Sequence, residues 1–212
     1  IKKACGAGRF FKPRIMVCIP SGVSEVERRA VREAVVQAGG KAVYLIEEPL
    51  AAAIGVGLDI SKPEGTMVVD IGGGTTDIAV ISMNAIVAST STKVAGDKID
   101  EAIARYLRKE HKLYVGERTA EQIKINIGSA YLQEEQKTML CRGRDLITGL
   151  PEAVELTSAD VLEAMQDPLN VICEAIHEVL KTVPPELAAD IGSGGIVLTG
   201  GGALLHNMDR LI

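Results

Sequence analysis

Residues 68–81 read VVDIGGGTTDIAVI. An apolar run meets Asp70, then Gly72, Gly73 and Gly74, then Thr75, Thr76 and a second aspartate before apolar residues resume. A tight hairpin needs only two loop residues and no carboxylate. Glycine admits positive φ and close approach of backbone to a ligand, and successive free N–H groups make a concavity for anions. Asp70, at a strand end, is a candidate for holding Mg²⁺ directly or through water. The Thr75 and Thr76 hydroxyls can donate to a phosphate or orient a water. No lysine follows the glycines as in a P-loop, so another positive charge must offset any bound phosphate. A plain glycine-rich hairpin is also compatible with these residues.

A second turn, Gly200-Gly201-Gly202, lies between the apolar run ending at Thr199 and a helical pattern expected from Ala203 onward. Glycines opening a helix suit a nucleotide, through close approach and the helix dipole, and they equally suit a sharp strand-to-helix turn. The spacing is not GxGxxG, which disfavours a dinucleotide fold. Glu48 precedes Pro49, a helix-opening proline. It either complements that helix N-terminus or polarises a water attacking a terminal phosphate, a reaction governed by positioning and electrostatics.

These residues need elements to hold them. Arg14–Ile19 is a short apolar run stopped by Pro20 and reads as a buried strand. Ser24 and Glu27 form a capping box opening a helix that ends at Gly39-Gly40. Residues 42–46 read as a strand, and Pro49 starts the next helix. This alternation is an α/β pattern. Strands at 66–70, 77–82 and 85–92 form an antiparallel meander around the first glycine turn. Gly96-Asp97 leads into a helix over 99–110, and Thr119 with Gln122 reads as a second capping box. Residues 139–149 and 153–156 read as strands joined around Leu150-Pro151. Residues 157–165 and 169–182 read as two helices, the second ended before Pro184-Pro185, and 195–199 as a strand.

The chain has 212 residues, enough for one large or two small domains. It is 47% hydrophobic but only 3% aromatic, so its core must be aliphatic. A formal net charge of -5 argues against a general nucleic-acid binder, which needs a basic footprint. The four cysteines make no CxxC pair and the three histidines have no metal-ligand spacing, the pattern expected of reduced cytosolic thiols. No signal peptide or membrane-length apolar run is visible. The sequence starts without Met and reads as a piece of a longer protein.

Taken together, PRIMVCIPSGVSEVERRAV, LIEEPLAAAIGVGL, MVVDIGGGTTDIAVIS, VAGDKIDEAI, GERTAEQIKINIGSA and IVLTGGGALL resemble the actin and heat-shock-chaperone ATPase superfamily, and within it the MreB family of bacterial actin homologues. The resemblance implies an α/β, actin-like ATPase fold with ribonuclease H-like mixed sheets, present in part. Residues 1–60 would be the remainder of a first lobe, 61–98 and 166–212 the core of a second, and 99–165 its inserted small subdomain. The family's N-terminal phosphate loop is not in this sequence.

It further implies ATP bound with Mg²⁺, hydrolysis in the full-length protein, and filaments at the inner face of the cell membrane that organise cell-wall synthesis. Expected partners are further copies of the protein, the membrane surface, and membrane proteins of cell-wall synthesis and division. By resemblance, Asp70 would lie by the metal, Gly72, Gly73 and Gly74 by the phosphates, and Thr75 near the attacking water that Glu48 positions. Gly96 and Asp97 would lie near the nucleotide, Glu121, Gln122, Ile123 and Lys124 toward the adenosine, and Gly200, Gly201, Gly202 and Ala203 would close its adenine and ribose side. Glu121 and Lys124 could instead form a solvated i,i+3 ion pair. Phe10 and Phe11, flanked by basic residues, are candidate membrane contacts or a pair of core rings. A nucleotide-binding scaffold without required turnover, or a chaperone-type ATPase, are the competing readings.

Overall fold

The computed structural model describes residues 12–132 and 134–212. Phe10 and Phe11 lie outside them. Strand β1 (Arg14–Ile19), helix α1 (Glu25–Gln37), strand β2 (Ala42–Glu47) and helix α2 (Glu48–Gly55) come first. The crossover through α1 makes β1 and β2 parallel, with Ile19 opposite Glu47 at their carboxyl ends. The capping box opens α1: Glu27 N–H donates to Ser24 Oγ at 3.3 Å, and Ser24 N–H to Glu27 Oε2 at 2.9 Å. Pro49 sits in the first turn of α2, where its missing N–H leaves no bond unmade.

Then follow β3 (Thr66–Ile71), β4 (Thr76–Ser82), β5 (Ala85–Thr92), α3 (Gly96–Glu110), β6 (Leu113–Tyr114), α4 (Glu117–Ile127), β7 (Thr138–Asp145), β8 (Pro151–Thr157), α5 (Ser158–Thr182), α6 (Pro185–Gly194) and β9 (Ile196–Thr199). The main sheet has the order β5-β4-β3-β9, antiparallel except that β9 runs parallel to β3. A smaller antiparallel sheet has the order β6-β7-β8.

Side chains alternate across a strand, and here the alternation sorts the site. Met67, Val69 and Ile71 of β3, with Ile78 and Val80 of β4, face a core shared with Ile99, Ile123, Met165 and Ile172. Val68, Ala79 and Ile81 face the other way, with Ala53 of α2. Asp70 therefore shares the α2 face with Val68, and Asp77 shares it with Ala79.

Several elements differ from the sequence reading. Helix α4 starts at Glu117 with Gly116 as its N-cap, and no side chain caps it. Thr119 lies inside its first turn, because burial of Ala120, Ile123 and Ile127 sets the helix phase. The two helices expected at 157–165 and 169–182 are one 25-residue helix with Pro168 inside. Val161, Met165, Pro168, Leu169, Ile172, Ile176 and Val179 bury one continuous stripe, which outweighs the proline's local cost. It spans the expected boundary at 165/166.

Strand β7 ends early, at Asp145, whose Oδ1 accepts from Ile147 N–H at 2.9 Å and turns the chain. Pro151 is the first residue of β8 rather than part of the turn. The sequence pattern shows no helix after Pro184-Pro185, yet Pro185 opens α6 while Pro184 is extended. Ala203 begins no long helix. A 3-10 turn over Gly202–Leu204 is followed only by α7 (Met208–Leu211).

Candidate functional site

Asp70 of β3 stands opposite Thr199 of β9. Both glycine turns therefore leave adjacent parallel strands at their carboxyl ends, where open α/β sheets bind ligands. Gly200 fits the turns together. Its φ is +85°, and a Cβ there would lie 2.5 Å from Asp70 Oδ1 and clash with the Ile71 carbonyl. The short 3-10 turn that follows supplies little helix dipole, so close approach of backbone is what the second turn can offer a ligand.

In the first turn, Gly72 N–H donates to Thr75 O at 2.9 Å. The Gly72 and Gly73 carbonyls accept from Gly96 N–H at 3.1 Å and Asp97 N–H at 2.8 Å. A Cβ on Gly73 would sit 3.3 Å from Asp97 Oδ1. None of Gly72, Gly73 and Gly74 has positive φ; closeness, not left-handed backbone, is what glycine provides here. The Gly73 and Gly74 N–H groups make no protein hydrogen bond among the described residues, and both residues are exposed.

A cavity of about 430 Å³ lies among Gly72, Gly73, Gly96, Asp97, Gly201 and Gly202. Glu121, Lys124 and Asp100 line it as well. Lys124 Nζ is 2.9 Å from Asp100 Oδ1 and donates to the Gly96 carbonyl at 3.2 Å. Its ion-pair partner is thus Asp100 rather than Glu121, which stays exposed. Burial raises the Asp100 carboxyl above its ordinary value while the Lys124 ammonium opposes the shift. Ile125 and Leu204, 64% and 86% exposed, add apolar surface to the cavity lining. Neither stood out in the sequence, where each reads as one more aliphatic residue.

The remaining residues singled out in the sequence fall elsewhere. Gln122 faces solvent and Ile123 is fully buried in the core. Gly200 and Ala203 border a second cavity beside Leu180 and Ile191. Thr76 is fully buried and its Oγ1 donates to Val94 O at 2.8 Å, so it holds the strand and is not free for a phosphate. Thr75 is half-buried at the turn.

Behind the first turn, on the α2 face, three carboxylates gather. Burial, then the Asp77 charge, raises Asp70 above the usual carboxylate range. Burial, then Asp77 and Asp70, raises Glu48. Asp77 is 3% exposed, and its Oδ1 has no hydrogen-bond partner. Sequence reasoning missed its role, although its place across the turn from Asp70 was countable. Among the described residues no group of three His, Cys, Asp or Glu side chains is arranged to hold a metal alone. A cation here must also take water or ligand oxygens.

A mixed sheet carrying helices on both faces, with glycine turns and carboxylates at the strand ends, defines an actin-like ATPase fold. The family described as MreB/Mbl protein matches residues 1–212, and the chain belongs to it. It is 54% identical over 200 residues to the cell shape-determining protein MreB of Escherichia coli (strain K12), covering 94% of this chain and 58% of that protein. It is 50% identical over 212 residues to the cell shape-determining protein Mbl of Bacillus subtilis (strain 168), covering 100% of this chain and 64% of that one. The crystal structure of MreB 5 of Spiroplasma citri bound to AMPPNP superposes with a TM-score of 0.88 at 40% identity, over 92% of this chain and 59% of that one. The chain thus spans about three-fifths of the length of these relatives.

Proposed function

We propose that this chain is the larger part of an ATP-binding, filament-forming protein that maintains cell shape. The observation that carries the reading is the meeting of the two glycine turns and Gly96, at the start of α3, around one cavity, with Glu48, Asp70 and Asp77 behind the first turn. The likeness to a structure bound to AMPPNP supports a nucleotide as ligand, and the cell-shape names of the relatives support the cellular role.

In this reading the free N–H groups of Gly73 and Gly74 receive phosphate oxygens. Lys124 approaches the nucleoside end, and Ile125 and Leu204 offer apolar surface to the base. Asp70 would hold Mg²⁺ through water, and Asp77, whose Oδ1 has no hydrogen-bond partner, stands opposite it on the same face. Such an ion keeps most of its shell as water and phosphate oxygens, which suits a site that is no all-protein cage. When bound it neutralises charge on the phosphates. Glu48 orients the attacking water and Thr75 lies beside it. The full-length protein self-associates into filaments at the inner face of the membrane, touches it through Phe10 and Phe11, and works with membrane proteins of cell-wall synthesis and division.

The test is the melting temperature of the full-length protein with ATP, with and without Mg²⁺. A ligand at ~100 times its dissociation constant, bound only to the folded state, adds about 2.7 kcal/mol. A Mg²⁺-dependent rise that Asp70→Asn abolishes is expected. No rise with ATP in a folded sample overturns the reading.

A further inference from the structure

Glu48 is covalently next to Glu47, and the structure separates their tasks. Glu47 ends β2 and stands at the N-cap of α2, yet its side chain makes no cap bond. It is turned instead to α1, where Arg28 Nη2 donates to Glu47 Oε1 at 2.7 Å. Both side chains are 27% exposed, well shielded for an ion pair. Arg28 also donates through Nε to the Val23 carbonyl at 3.2 Å, in the loop between β1 and α1. One guanidinium therefore ties three pieces together at the carboxyl ends of β1 and β2: the loop after β1, the body of α1, and the β2–α2 junction. On the far side of that junction, Glu48 opens α2, the helix packed on the sheet face that carries Asp70 and Asp77, and it lies within reach of their charges.

We propose that Arg28 is a positioning residue for Glu48, acting through Glu47. This rests on the ATPase reading above. The junction is held from below by α2, whose Ala53 packs on Val68, Ala79 and Ile81. It is held from the α1 side by the ion pair. Without Arg28, Glu47 is an unpaired, largely shielded carboxylate that turns to solvent, and the first turn of α2 loses the anchor that sets where Glu48 points. Lysine cannot replace it, because its single nitrogen does not span both Glu47 and the Val23 carbonyl in the forked geometry of a guanidinium.

The experiment is single-turnover phosphate release by the full-length protein, below its assembly concentration, alongside its dissociation constant for ADP. Arg28→Met and Glu47→Gln are expected to lower the chemical step about 10-fold or more, since small misplacement of a catalytic group is costly. ADP affinity is expected to stay within about twofold. Arg28→Lys restores only part of the rate. The exchanged pair, Arg28→Glu with Glu47→Arg, recovers more than either half alone. Arg32→Ala, which removes a cation elsewhere on α1, leaves the rate unchanged. If Arg28→Met does not fold, Glu47→Gln carries the test. An unchanged rate in Glu47→Gln overturns the proposal, and so does a parallel loss of rate and ADP affinity. Absence of hydrolysis in the unmodified protein overturns the ATPase reading itself, and the proposal with it.

Discussion

Asp70 and Asp77 stand directly opposite each other on adjacent antiparallel strands, both turned toward α2. Like charges so placed destabilise a sheet unless something lies between them. Asp77→Asn is therefore expected to stabilise the ligand-free protein by about 1 kcal/mol and to reduce the extra stability gained from Mg²⁺ with nucleotide. Urea unfolding with and without the ligand pair reads both effects. A ligand-free protein made less stable by Asp77→Asn would show that the aspartate is already satisfied.

The same carboxylates set a pH dependence of stability. Burial and neighbouring charge hold Glu48 and Asp70 above their ordinary values, so the folded state binds more protons than the unfolded one. Their contribution is fully present below the unfolded values, about 4, and is lost as pH rises through the folded ones. Glu48→Gln with Asp70→Asn should flatten that fall. Urea midpoints of both proteins from about pH 4 to about pH 7 measure it.

Two neighbouring glycines should respond very differently to alanine. At Gly200 a Cβ meets Asp70 Oδ1 and the Ile71 carbonyl, and φ is +85°. Gly200→Ala should cost about 1–3 kcal/mol and weaken nucleotide binding as the turn shifts. At Gly201 a Cβ meets nothing within 4 Å, so Gly201→Ala should stay within about 0.5 kcal/mol. Thermal melts and nucleotide titrations of the two variants give the comparison.

Lys124 and Asp100 are 16% and 13% exposed in their side chains, so each depends on the other. Lys124→Met should cost about 3 kcal/mol by stranding the Asp100 carboxylate. Adding Asp100→Leu should return part of that loss. A double-mutant cycle by denaturant unfolding isolates the coupling, and purely additive costs would contradict it.

Glu48→Ala separates turnover from binding. ATP affinity should be kept while phosphate release slows about 100-fold or more. Filaments of that variant should still assemble but disassemble slowly. Unchanged turnover would favour a scaffold that binds nucleotide without needing its hydrolysis.

Much of this site was legible in the sequence because local chemistry and long-range packing agree there. Gly72–Gly74 need a strand on each side, and Val68 and Ile78 supply the apolar pattern. Glu48 is fixed by Pro49 and the capping box at Ser24 by Glu27. Legibility failed where burial overrode local signals. Pro168 reads as a helix break, yet the apolar stripe of α5 runs through it. Thr119 reads as a cap, yet Ala120, Ile123 and Ile127 pull the helix start back to Glu117. Asp77 was visible as a residue, but its significance depends on register, which places it opposite Asp70 rather than beside it. The Asp100–Lys124 pair joins residues on different helices, and no spacing rule reaches across that gap.

The bonds from Gly96 and Asp97 to the carbonyls of Gly72 and Gly73 make the first turn of α3 and the glycine turn a single joint. Helix α3 extends 15 residues from that joint, a lever of roughly 22 Å at 1.5 Å per residue. A tilt of about 5° at the glycines would sweep its far end by about 2 Å. Strand β6 follows that end and pairs with β7. A shift of the glycine turn too small to notice there would thus arrive, magnified, at the small sheet.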